Sequence, residues 1–251
     1  MSGHSKWATI KRKKGAKDAQ RGKLFTKLNR EIAIAARMGG GDESGNPRLR
    51  KAILVAKGQG VPQDSIQRAI NRGTGEVEGA IYEEIVYEGT GPGGTLFMVE
   101  GATDNRNRTA PELRKVFEKH NGVMGQSGTA GWAFDYLGSI VLDKSNVTED
   151  QLMEVAVEAG AEDYRDEGED WVVYTPPTDL DRVTTAIEAA KLEVKDSSLV
   201  YVPKNKKAVT GRDAEVCLNL FEALDDHDDV QNVYADFDIS DEEMARIAGD
   251  D

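Results

Sequence analysis

Between residues 24 and 38 the apolar positions recur at helical spacing. At about 100° per residue, Leu24, Phe25, Leu28, Ile32, Ala35 and Ala36 fall within one arc of roughly 120°. Lys23, Lys27, Arg30 and Arg37 fall on the opposite arc. Gly39–Gly41 end this helix, and Asn46-Pro47 starts another with proline at the first helical position, where its missing N–H costs nothing. Leu49, Ala52, Ile53 and Ala56 form the second apolar stripe, broken by Gly58 and Gly60. A third helix from Pro62 buries Ile66, Ala69 and Ile70, leaves Arg68 and Arg72 outside, and closes at Gly73 and Gly75.

The period then changes. Residues 81–88 and 95–103 are rich in β-formers and are joined by a turn of Gly89, Gly91, Pro92, Gly93 and Gly94. A helix is predicted from Thr109, which has capping-box spacing to Glu112, with Leu113, Val116 and Phe117 inward and Asn121-Gly122 as the stop. Trp132, Phe134 and Tyr136 alternate as a strand. Strand 139–143, a helix from Thr148 to Ala159, strands 161–165 and 171–175, a helix over 179–190 and a strand near 192–202 follow. That order is β-α-β-β-α-β, the ferredoxin-like one. Helix 212–225 and strand 230–238 remain, and they return most simply to the sheet of residues 81–137.

The expected fold class is therefore α+β: an N-terminal helical domain plus two α/β domains, the last a ferredoxin-like insertion. The expected division is 1–79 as a basic helical nucleic-acid-binding domain, 80–137 plus 204–240 as an α+β domain, 138–203 as the insertion, and 241–251 as a frayed acidic tail.

Charge changes the picture more than composition does. The 251 residues carry a formal net charge of −13, which by itself argues against nucleic acid. But residues 1–75 hold seventeen Lys/Arg against five Asp/Glu, a net of +12, and the remainder holds fifteen against forty, a net of −25. Such asymmetry points to a polyanion-binding module on an acidic body. The competing reading is a basic bundle docked on its own acidic partner domain. No apolar run approaches the roughly 18 residues of a membrane span, and no secretory signal is expected, so a cytoplasmic protein without membrane contact is expected. With one cysteine, Cys217, and three histidines, no structural zinc site of the usual kind is expected.

The candidate phosphate contacts are Lys6, Lys11, Arg12, Lys13, Lys14, Lys17 and Lys23 in a basic arm, Lys27, Arg30 and Arg37 on the first helix, and Arg68 and Arg72 on the third. Cations along one track add affinity without reading bases. The arm, residues 1–23, is expected to be mobile alone in water. Phe25 belongs to the core arc, whereas Trp7 either stacks on a base or docks on the bundle. Arg106 and Arg108 flank a helix start that offers free N–H groups, which suits an anion or, equally, a capped and salt-bridged loop. The Gly-rich stretches 89–94 and 122–131 lack phosphate-loop spacing. The first reads as a tight turn, the second as a long loop that touches a partner. Asp225, Asp226, Asp228 and Asp229 around His227 read as a solvated helix end in preference to a cation site, because adjacent residues rarely converge on one ion. No nucleophile–base arrangement stands out, and His120 sits where a helix end favours it anyway. No catalytic residue, cofactor or metal is expected.

Several stretches together resemble the YebC family: Gly3-His4-Ser5-Lys6-Trp7, residues 23–32, residues 46–50, Arg68-Ala69-Ile70, Tyr87-Glu88-Gly89 with Gly91–Gly94, Thr103 to Thr109, Val202-Pro203-Lys204-Asn205, and Asp229 to Ile239. The resemblance spans residues 2 to about 239. One departure is Gly58 to Pro62, where the family pattern has Asn before the hydrophobic residue and proline. The resemblance implies a three-domain α+β fold. Members are described as transcriptional regulators that bind DNA. A mitochondrial relative is a translational activator for a cytochrome oxidase subunit, and bacterial relatives are linked to relief of ribosome stalling at proline-rich stretches. It carries over no catalytic residues, and a motif beginning at residue 2 argues against a transit peptide. The function expected is a non-enzymatic, nucleic-acid-binding regulator of gene expression, a DNA-binding transcriptional regulator. The alternative is a ribosome-associated translation factor that binds rRNA.

Overall fold

The computed structural model describes residues 17–249. Three helices come first: α1 (Lys17–Gly39), α2 (Pro47–Gly58) and α3 (Gln63–Thr74). Helix α1 starts well before the apolar arc begins, because Asp18, Ala19, Gln20 and Arg21 continue it as ordinary helix formers. The part of the basic arm from residue 17 onward is thus helical, and Lys6, Trp7, Lys11, Arg12, Lys13 and Lys14 lie outside the described residues. Arg21 covers the Phe25 ring one turn later, 5.2 Å from its centroid.

Asn46 joins the first two helices. Its side-chain oxygen accepts from Leu49 N–H, capping α2 ahead of Pro47, while its amide donates to the Ala35 and Gly40 carbonyls at 2.8 Å. The three helices enclose Ile32, Ala36, Leu49, Ile53, Ala56, Ile66 and Ile70. Helices α1 and α3 approach closely at Gly73, where a Cβ would overlap the Ala33 carbonyl oxygen and lie 2.8 Å from Ala36 Cβ. Gly73→Val should therefore cost about 1–3 kcal/mol as an overpacked contact, which outweighs the helix propensity gained. A urea melt checks this, and an unchanged midpoint would contradict the close approach.

A four-stranded antiparallel sheet follows, in the order β3-β1-β2-β9, from β1 (Glu83–Thr90), β2 (Leu96–Thr103), β3 (Val123–Met124) and β9 (Val230–Ala235). Strand β9 pairs with β2 from Phe97↔Ala235 to Gly101↔Val230. Helices α4 (Arg106–Lys119) and α7 (Gly211–Asp225) pack Leu113, Phe117, Cys217, Leu220 and Leu224 on Phe97, Val99 and Val233. The Phe97 and Phe117 rings meet edge to face at 6.1 Å.

A second four-stranded antiparallel sheet has the order β5-β6-β4-β7, from β4 (Phe134–Asp143), β5 (Asp163–Asp166), β6 (Asp170–Thr175) and β7 (Val194–Pro203). Helices α5 (Glu149–Glu158) and α6 (Leu180–Ala189) complete the β-α-β-β-α-β order and bury Leu152, Ala156, Val183 and Ile187 on Ile140, Leu142 and Val173. Thr148 and Gln151 form the expected reciprocal cap of α5. Leu96, Met98 and Tyr234 of the first sheet join Val172, Tyr174, Val200 and Val202 of the second in one apolar cluster.

Four expectations are corrected. Strand β4 runs unbroken and pairs with β7 from Phe134↔Pro203 to Leu142↔Val194, so the boundary expected at 137/138 falls inside a strand. Residues 230–238 are not one strand. They break at Asp236, whose carboxylate accepts from Leu96 N–H at 2.8 Å, and β10 (Phe237–Asp238) then pairs in parallel with β8 (Lys207–Ala208). Helix α4 begins at Arg106 with Asn105 as its cap, and Thr109 is buried inside it rather than capping it. The acidic tail forms α8 (Asp241–Gly249), in which Met244 is buried and Ile247 packs on the core of the first sheet. Arg246 ties this helix to Glu215 at 2.7 Å.

Cys217 lies in that core beside the Thr95 hydroxyl, and burial pushes its thiol up to about 11. The folded protein should therefore resist Ellman's reagent near pH 8, with one thiol appearing only on denaturation. Prompt modification of the native chain would contradict this.

Candidate nucleic-acid interface

Lys23, Lys27 and Arg30 follow one another at spacings of four and three on α1, so they project along one stripe of the helix. The stripe passes from exposed at Lys23 to buried at Arg30. It meets the end of α7 and the turn into β9. Lys23 Nζ donates to the Asp226 carbonyl at 3.1 Å, and Lys27 Nζ donates to the Asp225 carbonyl at 2.7 Å and to its carboxylate at 3.1 Å. Arg30 is only 8% exposed and pairs with Asp229 at 3.1 Å. It also donates to the carbonyls of Ala102 and Asp228, and its guanidinium lies 4.9 Å from the centre of the Tyr82 ring.

Asp229 is the centre of this contact. Its buried carboxylate accepts from Thr109 Oγ1 at 2.6 Å, Arg108 Nη2 at 2.7 Å and Thr103 Oγ1 at 3.3 Å, besides pairing with Arg30. Burial pushes the carboxyl up. The bonds from Thr109 and Arg108 and the charges of Arg30 and Arg108 outweigh burial and hold it below its ordinary range. His227 completes the turn: its Nδ1 accepts from Asp229 N–H at 3.2 Å, which leaves Nε2 to face Glu112 at 3.3 Å.

Two expectations change here, and one of two alternatives is selected at the loop 104–108. On the arc of α1 opposite Leu28 and Ile32, the part from Lys23 to Arg30 is a docking surface, because Asp225, Asp226 and Asp229 of the acidic run 225–229 pair with it, whereas Arg37 further along the same arc stays exposed. That run is correspondingly not a plain solvated helix end. Arg108 is held by Asp104 and Asp229 and Arg106 by Glu83, at 2.7–3.0 Å, so the loop at 104–108 is capped and salt-bridged rather than open to an anion. Sequence patterning places the cations and the acids correctly, but complementarity between segments 200 residues apart leaves no periodic trace. The pairing of Arg30 with Asp229 is therefore visible only in the fold.

The remaining cations of the helical domain divide in the same way. Arg48 bridges Glu31 at 2.8 Å and Glu84 at 2.6 Å, and Lys51 lies 3.9 Å from Asp196. Arg37, Arg68 and Arg72 are exposed and pair with no carboxylate among the described residues. Arg68 and Arg72 are one turn apart on α3. The stem of Arg72 lies across Gly79, where a Cβ would come within 2.8 Å of its Nε. Arg37 donates to the Tyr82 carbonyl at 2.9 Å.

Arg37 and Arg72 line one cavity of about 230 Å³ with Ala33, Ile34, Thr74, Ile81 and Tyr82, and no Asp or Glu is among the residues that line it. Two guanidinium groups beside an apolar wall and an aromatic residue suit an anion carried on a flat group, such as a phosphate next to a base. Lys17 lies on the first turn of α1.

Known proteins match along nearly the whole chain. Residues 5–76 match the family description "TACO1/YebC protein N-terminal domain", and residues 82–237 match "TACO1/YebC second and third domain". A protein of Desulfotalea psychrophila named a probable transcriptional regulatory protein is 54% identical over 249 residues, which is 99% of this chain and 100% of the relative. One of Geobacter sp. with the same descriptive name is 51% identical over 247 residues, 98% of this chain and all of the relative. The crystal structure of a conserved hypothetical protein from Aquifex aeolicus superposes with a TM-score of 0.82 at 43% identity, over 89% of this chain and 93% of that one. The chain belongs to the TACO1/YebC family.

Proposed function

We propose that the protein is a non-enzymatic, cytoplasmic regulator of gene expression that binds nucleic acid through the free side of its helical domain, with DNA in a transcriptional role as the first reading. The observation that carries this is the pairing of Arg37 and Arg72 on an acid-free cavity in a chain of net charge −13. Arg68 one turn away extends the same face. The basic residues 6–14, which lie outside the described residues, add charge to the same segment of sequence. The relatives' names as probable transcriptional regulatory proteins agree with this reading.

The acidic body favours a second reading. Residues 76–251 carry −25 and repel the phosphates that flank a bound duplex. A factor seated on rRNA in a ribosome can keep that body turned away. The test is anisotropy of labelled duplex DNA and of rRNA fragments over a range of salt, alongside co-sedimentation with ribosomes. The proposal predicts an affinity that falls linearly in log–log form with salt. No salt-dependent association with any of the three would overturn it, and the strongest of the three selects between the readings.

A further inference from the structure

Trp132 is 68% exposed, yet it is held in place. Its indole N–H donates to the Thr129 carbonyl at 3.1 Å. The loop beneath it is gathered by the buried carboxylate of Glu88, which accepts from the backbone N–H groups of Gly128, Ala130 and Gly131 at 3.0, 2.6 and 2.7 Å. Gly125 N–H adds a bond to the Glu88 carbonyl at 2.8 Å. A large aromatic side chain left in water forgoes the stabilisation that burial would give it. A loop that fixes it there presents a rigid flat surface at little entropic cost on binding.

The charge beside it is opposite to that of the body. Residues 197–212 contain no Asp or Glu and carry Lys204, Lys206, Lys207 and Arg212, within a segment whose net charge is −25. Lys204 lies against the tryptophan: its N–H donates to the Ala133 carbonyl at 2.9 Å and its Nζ to the Trp132 carbonyl at 3.0 Å, with Asp135 at 3.4 Å. Lys207 Nζ rests on the Gly94 carbonyl at 3.1 Å, and Lys206 is exposed with no partner among the described residues. Asp135 takes up part of the Lys204 charge, whereas Lys206 and Lys207 meet no carboxylate among the described residues.

We propose that Trp132 with Lys204, Lys206 and Lys207 is a second contact for single-stranded nucleic acid, in which a base stacks on the indole and the flanking phosphates lie on the lysines. This rests on the reading of the chain as a nucleic-acid binder. Stacking on an exposed aromatic between cations is the usual means of holding an unpaired strand, and a duplex cannot offer a free base face to it. A protein partner is less favoured, because the side chains fixed beside Trp132 are charged, Lys204 with Asp135, and Lys206 next to them is exposed.

The test compares labelled oligouridylate with duplex DNA by anisotropy, for the full chain and for Trp132→Ala, Trp132→Phe, Lys206→Glu and Arg37→Glu/Arg72→Glu, with circular dichroism as the folding control. Trp132→Ala should weaken single-strand binding at least fivefold and leave duplex binding unchanged. Trp132→Phe should retain most of it, and Lys206→Glu should flatten the salt dependence. Single-strand affinity unchanged in both Trp132→Ala and Lys206→Glu overturns the proposal and leaves a protein partner for this surface. If that happens while Arg37→Glu/Arg72→Glu still abolishes binding, only this second contact fails. If the unaltered chain binds neither probe, the parent reading fails with it.

Discussion

Replacing Asp229 by alanine should destabilise the protein by about 3–5 kcal/mol, the usual cost of stranding one partner of a buried ion pair. The number is large because of what Asp229 holds. Arg30 is buried and cannot recover water, and Thr103, Thr109 and Arg108 lose their common acceptor at the same time. The exposed pair between Lys23 and Asp226, by contrast, contributes only about 0–1 kcal/mol, so Asp226→Ala should be nearly silent. For a chain of this length the Asp229 effect corresponds to a fall of roughly 10 °C in melting temperature.

Acid should remove the same contribution. The folded-state pKa of Asp229 lies below its unfolded value near 3.8, so its stabilisation is complete above that value and is lost as pH falls through the folded-state pKa. The gap in stability between the parent and Asp229→Ala should therefore be constant near neutrality and narrow below about pH 4. A gap below 1 kcal/mol at neutral pH, or one that widens in acid, would show that Asp229 does not hold the helical domain to the body.

Much of the fold is legible in the sequence because it rests on local periodicity. Apart from Leu24, which is exposed, the apolar stripes of α1, α2 and α3 are the residues that pack in the structure, and Asn46-Pro47 and Thr148–Gln151 mark helix starts by their own chemistry. The order β4-α5-β5-β6-α6-β7 is readable for the same reason. The misplaced features depend on distant partners. Thr109 has the spacing of a cap, but the carboxylate of Asp229 draws it into the core and Asn105 takes the cap. The tail has the charge of a frayed end, but Met244 and Ile247 at helical spacing find the core of the first sheet. Strand β4 crosses an expected boundary because its partner β7 is as long as it is.

The candidate interface was half legible. Charge counting separates a basic segment from an acidic one, but it cannot say which cations are spent on the chain's own acids. Lys23, Lys27 and Arg30 look as free as Arg37, Arg68 and Arg72 on a helical wheel. Only the three-dimensional placement of residues 225–229 against α1 distinguishes them.

Reversing two charges on the free side should have the largest effect on binding. Arg37→Glu/Arg72→Glu puts two carboxylates on the cavity wall that now carries none. Both residues are exposed, and exposed substitutions usually move stability by only about 0.5 kcal/mol. Affinity for duplex DNA or rRNA should fall at least tenfold.

The most direct measurement is the slope of log affinity against log salt for the parent, for Arg37→Gln/Arg72→Gln and for Lys23→Gln. Neutralising two phosphate contacts should make the duplex slope shallower by about 1.8, at roughly 0.9 per phosphate. Lys23→Gln, on the docked stripe, should leave the slope as it is. The account is contradicted if the Arg37→Gln/Arg72→Gln protein keeps the parental slope and affinity while Lys23→Gln lowers both, since the phosphate-binding face would then be the one assigned here to docking.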